Sequence, residues 1–360
     1  SIFAGSSGIE RAMNSYISGQ SSAQFFEQIN ALLDGTPVTG AAVELTIDPV
    51  AQRAAWDALG SRKGAVVVME PATGKILALV SKPTFDANLL ASHRFDDVTD
   101  AYRDYADSPE NPLVNRAISG DLYHPGSVFK LVVAAAALES GRYTVGSRFE
   151  NLSEYILPGT TTAITNSGGR RCGSGDFVSF ESALIRSCNI PFAMMAVNLG
   201  QDRIRAQAEL MGFGSSLEIP LTVASSIYPE DMDEAQTALT GFGQFDVRVT
   251  PMQMAMVTAA IANQGVVMKP QLISSVVASN LNLLSKPQPV VYSSPISRTT
   301  AGFLTRMMVD SVEVGVAGKA NISGIAVAGK TGTAENGPDE PFTLWFTGFA
   351  PAEAPRFVVT

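Results

Sequence analysis

The feature that most constrains this chain is one unbroken apolar stretch, Leu131-Val132-Val133-Ala134-Ala135-Ala136-Ala137-Leu138. It is preceded by Tyr123-His124-Pro125-Gly126-Ser127-Val128-Phe129-Lys130 and followed, after Glu139-Ser140, by Gly141. Pro-Gly marks a turn. An alanine-rich apolar run after it reads as a buried helix, and Gly141 reads as its stop. Ser127 then falls in the first turn of a helix that points into the core. Lys130, three residues on, shares its face and comes within reach of the Ser127 hydroxyl. A serine beside a desolvated lysine at a helix N-terminus is a candidate nucleophile with its own base. The competing reading makes Ser127 a plain N-cap and Lys130 a solvated side chain.

At 360 residues, with 46% apolar and 16% charged side chains, the chain can bury one large core or two ordinary ones. A net charge of −9 argues against a nucleic-acid partner. No apolar run approaches the roughly 20 residues that span a bilayer, and the N-terminus lacks the basic start and apolar middle of a signal peptide. Both ends read as interrupted elements, so an anchor or export signal is expected to lie outside the sequence. With Cys172 and Cys188 apart in sequence and only His93 and His124 for imidazole, no metal site is expected. The cysteines pair if the protein works outside the cytoplasm and otherwise stay as two buried thiols; composition leaves both open. His124 reads as a turn-surface histidine, which disfavours a Ser-His-Asp triad around Ser127.

Along the chain, Phe25 to Leu33 has helical spacing ended by Asp34-Gly35, and residues 1–42 read as the remnant of an earlier domain. Val43 to Ile47 alternates like a strand, and Asp48-Pro49 opens a helix to about Leu59. Gly64 to Glu70 and Ile76 to Ser81, joined by Pro71-Ala72-Thr73-Gly74, predict a hairpin covered on both faces. Residues 83–115 read as loop-rich, partly acidic surface. Ser179 caps a helix running toward Ser187-Cys188-Asn189 and Pro191 starts the next, which places Ser187 and Asn189 in the loop between them. Thr250-Pro251 opens a helix to Asn263-Gln264-Gly265, and Arg298 to Glu313 is amphipathic. Ile322 to Ala328 and Leu344 to Phe349 are strand-like, with Gly329-Lys330-Thr331-Gly332-Thr333 after the first. Strands early and late with helices between predict an α+β fold: one antiparallel sheet flanked by helices, plus an inserted helical subdomain.

Three short patterns each occur once: Ser127-x-x-Lys130, Ser187-x-Asn189 and Lys330-Thr331-Gly332. In this order they form the motif set of penicillin-binding proteins and serine β-lactamases. The resemblance covers nearly the whole chain. Leu45-Thr46-Ile47-Asp48, Ala65 to Ala78, Asn115-Arg116-Ala117, Gly243-Gln244 and Thr250-Pro251-Met252-Gln253 all resemble a class B penicillin-binding protein, closest to the actinobacterial A type. Ser187-Cys188-Asn189 departs in its central cysteine, where many relatives have Ser or Asp.

The resemblance implies a transpeptidase fold over residues 43–360, C-terminally truncated, behind a non-catalytic pedestal remnant at 1–42. It implies a cofactor-free, extracytoplasmic enzyme of cell-wall synthesis, held by a missing N-terminal membrane anchor. Peptidoglycan stem peptides and β-lactams are its expected ligands, and glycosyltransferase or division proteins its partners. Ser127 would form an acyl-enzyme with Lys130 as base. By resemblance, Ser187 would relay a proton to the leaving amine, Asn189 would hold Lys130 and substrate, and Lys330, Thr331 and Thr333 would hold the terminal carboxylate. Gly332 would allow close backbone approach, and the backbone N–H groups of Ser127 and Thr333 would form the oxyanion hole. The alternatives are a D,D-carboxypeptidase or serine β-lactamase, which admit water, and a β-lactam sensor domain, which does not turn over.

Overall fold

The computed structural model describes residues 7–337 and 339–360; the first six residues of the expected N-terminal remnant lie outside them. Local signals place several helices. Asp48 accepts from the Val50 and Ala51 amides at 2.8 and 2.9 Å, starting helix α1 (Pro49–Leu59). Its Ala55 packs on Val68, Ala78 and Val80. These belong to strands β1 (Gly64–Met69) and β2 (Ile76–Lys82), whose register runs from Gly64 opposite Lys82 to Met69 opposite Ile76. In the turn, Gly74 has φ +78°, and a Cβ there would stand 2.3 Å from the Lys269 carbonyl oxygen. Only glycine fits that approach.

The apolar run forms helix α2 (Lys130–Glu139), with Leu131 to Ala137 buried throughout. Each buried Val or Leu there contributes about 1.5–3 kcal/mol. Around it stand α3 (Phe180–Ile185), α4 (Ile190–Leu199), α5 (Pro251–Ala262) and α6 (Arg298–Glu313). Ser179 and Thr250 cap α3 and α5 as their sequences predict.

The late strands are β3 (Ala328–Ala334), β4 (Thr343–Ala350) and β5 (Phe357–Val359). The five strands form one antiparallel sheet in the order β3-β4-β5-β1-β2. Val358 of β5 sits opposite Phe349 on one side and Met69 on the other, so this short strand joins the two ends of the chain. Both sheet faces are covered. Val68 and Val80 meet α1, while Val67, Met69, Ile76 and Val358 enter the main core with α2, α5 and α6. That is why β1 and β2 read as near-continuous apolar runs.

Residues 7–41 rest on this body through Met13 and Ala41, which pack against Ile273 and Val276. The strand Ala42–Leu45 pairs with Ile273–Val277.

Two expectations change. Residues 83–115 are not all loop: Phe95–Ala106 is a helix, with Asp96 and Asp97 in its first turn, where the helix dipole favours them, and Val98 buried. The segment Gly329 to Thr333 does not follow a strand; it lies inside β3, because the pairing with β4 starts only at Ala328.

Candidate active site

Ser127 lies on a single 3-10 turn, Gly126–Phe129, that runs straight into α2. The turn is wedged between two backbones. The Gly126 amide donates to the Gly243 carbonyl at 2.9 Å, and a Cβ on Gly126 would stand 2.6 Å from the Thr333 carbonyl oxygen. A Cβ on Gly243 would lie 2.0 Å from the Gly126 oxygen. The glycines thus let the nucleophile turn approach β3, the edge strand of the sheet. Ser127 caps nothing: its side chain makes no hydrogen bond among the described residues and faces a cleft of about 570 Å³.

Helix α3 ends at Ile185, and the backbone reverses at Ser187 with φ +58°, a left-handed conformation costing a non-glycine residue about 1–2 kcal/mol. The turn is held at several points. The Ser187 and Cys188 amides donate to the Leu184 and Ala183 carbonyls at 3.1 and 2.9 Å. Cys188 is joined to Cys172 in a disulfide. Asn166 accepts from the Asn189 and Ile190 amides at 2.9 and 3.0 Å, capping α4. Sequence reading missed Asn166, whose only local signal is turn composition in Thr165-Asn166-Ser167-Gly168.

Lys130 and Lys330 are both fully buried. Lys130 Nζ donates to the Ser187 carbonyl and to Asn189 Oδ1, both at 2.8 Å, with Ser187 Oγ at 3.5 Å. It makes no hydrogen bond to Ser127, the partner expected from helical spacing, because the Ser187–Asn189 turn presents two better acceptors. Lys330 Nζ donates to Ser187 Oγ at 2.6 Å and to the Thr331 carbonyl at 2.9 Å. Neither lysine has a carboxylate partner among the described residues. Burial, and next the charge of Lys330, hold Lys130 well below the usual lysine range. Burial brings Lys330 down to about 7.

The cleft brings Ser127, Ser187, Asn189, Thr331, Gly332 and Thr333 together. It also exposes Arg186 and Glu335, which no motif marked. His124 does not lie on the surface: it is buried, with Nδ1 3.2 Å from the Val247 carbonyl oxygen, and Trp345 Nε1 donates to the His124 carbonyl at 2.9 Å. The turn that carries it is pressed under β4. Among the described residues no group of three or more His, Cys, Asp or Glu is gathered as for a metal.

This arrangement has solved counterparts. The chain is 38% identical, over 98% of its own length and 73% of the relative's, to the peptidoglycan D,D-transpeptidase PbpA of Mycolicibacterium smegmatis. It superposes with a TM-score of 0.94 and 38% identity on penicillin-binding protein A from M. tuberculosis as a penicillin G acyl-enzyme complex, covering all of this chain and 83% of that one. With the D,D-transpeptidase domain of a peptidoglycan glycosyltransferase from Eggerthella lenta, the TM-score is 0.84 at 33% identity, over 99% of this chain and 81% of that one. The penicillin binding protein transpeptidase domain matches residues 64–360. By that match and these identities, the chain belongs to the penicillin-binding protein transpeptidase family.

Proposed function

We propose that the chain is a peptidoglycan D,D-transpeptidase that works through an acyl-enzyme on Ser127. The observation that carries this reading is Lys130, fully buried with no carboxylate partner among the described residues and held at 2.8 Å by the Ser187 carbonyl and Asn189 Oδ1, with Ser187 Oγ at 3.5 Å. Burial favours its neutral form, the form that can take the Ser127 proton.

In this reading Ser127 Oγ bonds to the carbonyl carbon of the penultimate D-Ala as its proton passes to Lys130. The oxyanion rests between the Ser127 and Thr333 backbone N–H groups, each contributing about 3 kcal/mol. The peptide C–N bond then breaks. Ser187, held by Lys330, gives its hydroxyl proton to the leaving D-Ala amine and takes in its place the one that Lys130 accepted. Lys330, Thr331 and Thr333 hold the terminal carboxylate, and Asn189 keeps Lys130 in place. The amine of a neighbouring stem peptide attacks the ester, the 4→3 amide bond forms as the C–O bond to Ser127 breaks, and the proton the amine loses returns to Ser127 Oγ. A β-lactam acylates the same oxygen and stays, since its leaving group remains tethered.

The named relatives support the reaction, one as a D,D-transpeptidase and one as a penicillin G acyl-enzyme. The reading extends to a catalytic domain outside the cytoplasmic membrane, an N-terminal anchor, a non-catalytic domain that includes residues 1–42, and glycosyltransferase or division partners. Among the described residues no helix is long and apolar enough to cross a membrane.

The test is intact mass after benzylpenicillin: one adduct on the wild type and none on Ser127→Ala. An adduct that persists in the variant refutes the assignment of Ser127. Lipid-linked precursors then decide the acceptor: cross-linked dimer is expected, and free D-Ala without dimer would make the enzyme a carboxypeptidase.

A further inference from the structure

Arg186 lines the cleft and directly precedes Ser187, in a chain whose net charge is −9. Its guanidinium lies over Gly173: a Cβ there would stand 3.3 Å from Nε and 3.5 Å from Cζ. Gly173 ends the short segment that carries Arg170 and Arg171. That segment is fastened at three points. The Cys172–Cys188 disulfide ties it to the Ser187 turn, Asn166 Nδ2 donates to the Arg170 carbonyl at 3.0 Å, and Asn151 Oδ1 accepts from the Cys172 amide at 2.7 Å. Arg171 is paired with Asp176 at 3.5 Å. Arg170 and Arg186 are exposed, and neither side chain has an ion pair or hydrogen bond among the described residues. A fixed positive wall with no acid of its own is ready for an anion.

Resting on the function proposed above, we infer that Arg186 selects the acceptor: it favours an attacking amine that carries a second carboxylate beyond the one beside its nitrogen. The departing D-Ala has its amine at Ser187 and its carboxylate at Lys330 and Thr331. Attack on the ester is that departure run backwards, so the incoming amine enters at the same point. Arg186 is the chain neighbour of Ser187, about 3.8 Å away between Cα atoms. The remainder of the acceptor therefore passes Arg186, whose planar, permanently charged fork matches a carboxylate. Arg170 behind it adds to the same charge. The amide C–N bond forms as the C–O bond to Ser127 breaks, and the amine's proton returns to Ser127 Oγ. Arg186 takes no part in those transfers; it holds the acceptor while they occur.

The test lets two acceptors compete for one acyl-enzyme. The donor is a diacetyl-Lys-D-Ala-D-lactate depsipeptide. The acceptors are D-glutamate and D-glutamine, which match in shape and in the configuration of the departing D-Ala and differ by one charge. Mass spectrometry reads the ratio of the two amide products, to which the rate of acylation does not contribute. The wild type is expected to favour D-glutamate about three- to fivefold at low salt, the preference fading as salt screens the exposed arginine. Arg186→Gln brings the ratio close to one, Arg186→Lys keeps part of it, and Arg186→Glu reverses it. A merely structural role would lower both products together and leave their ratio alone. A wild-type ratio of one, or a ratio unchanged in Arg186→Gln, overturns the inference. Benzylpenicillin labelling of the wild type separates the two readings. An adduct with both amides formed at a ratio of one sinks this inference alone. No adduct and no release of lactate sinks the function on which it rests, and lactate release with neither amide sinks the transpeptidase reading and this inference together.

Discussion

Lys130 and Lys330 are both fully buried and are bridged by the Ser187 hydroxyl. Burial lowers the Lys330 pKa to about 7, whereas an unfolded lysine titrates near 10.4. Between these values the unfolded chain binds more protons than the folded one, so stability rises with pH; below about 7 both states are protonated and the full penalty applies. Thermal melts are therefore expected to show Tm rising from pH 7 to 9. Lys330→Met should raise Tm at pH 7 by about 2 °C and flatten that rise, since a buried unpaired cation gives way to an apolar chain of similar length. The same variant should lose penicillin acylation. Lys130 supplies a second check. Arginine stays protonated, so Lys130→Arg should slow acylation about 10³-fold and remove its increase with pH. Stopped-flow acylation across pH 6 to 10 reads both effects; an unchanged pH profile would exclude Lys130 as the base.

At the scale of elements, the site depends on two turns held against their own preferences. Ser187 sits at φ +58° and is held by the Cys172–Cys188 disulfide, the Asn166 side chain and Lys130. A disulfide closing a loop of this size contributes about 3 kcal/mol. Reduction should lower the urea midpoint accordingly and slow acylation, because the Ser187–Asn189 acceptors loosen around Lys130. Asn166→Ala should act the same way through the lost cap, at about 1–2 kcal/mol. The nucleophile turn depends on Gly243, whose added Cβ would meet the Gly126 oxygen at 2.0 Å with φ at +76°. Gly243→Ala should cost at least about 3 kcal/mol and displace Ser127, read as a lower urea midpoint with slower labelling by penicillin. Midpoints equal to wild type would show that the 126–129 turn tolerates movement.

At the scale of the molecule, β5 decides whether the sheet closes. Val358 is fully buried between β4 and β1, linking strands from opposite ends of the chain. Such long-range pairing is slow to form, since the chain between must be ordered before the contacts return energy. Val358→Asp places an unpaired carboxylate there and should abolish cooperative unfolding and protease resistance together. A variant that still melts cooperatively and binds penicillin would show that β1–β2 and β3–β4 are held independently by α5 and α6.

Much was legible from local signals. The caps at Asp48, Ser179 and Thr250, the buried α2, the amphipathic α6 and the β1–β2 hairpin all act within a few residues. So does the placement of Ser127 in a first turn and of Ser187 and Asn189 between helices. The triple motif, read together, named the chemistry. What the sequence could not show was which side chains meet. Helical spacing pointed Lys130 at Ser127, yet its bonds go to a turn far along the chain. Asn166 caps α4, and Arg186 and Glu335 line the cleft, with no pattern to mark them, and His124 is buried where local composition placed it in solvent. The reason is range. Backbone hydrogen bonds and periodicity are set by near neighbours, so sequence alone determined the elements and the reactive residue types. The lysines' loss of solvation, the edge position of β3 and the meeting of Ser127, Ser187 and Thr333 in one cleft arise only when segments from both ends of the chain pack around α2, and the tertiary structure alone decided them.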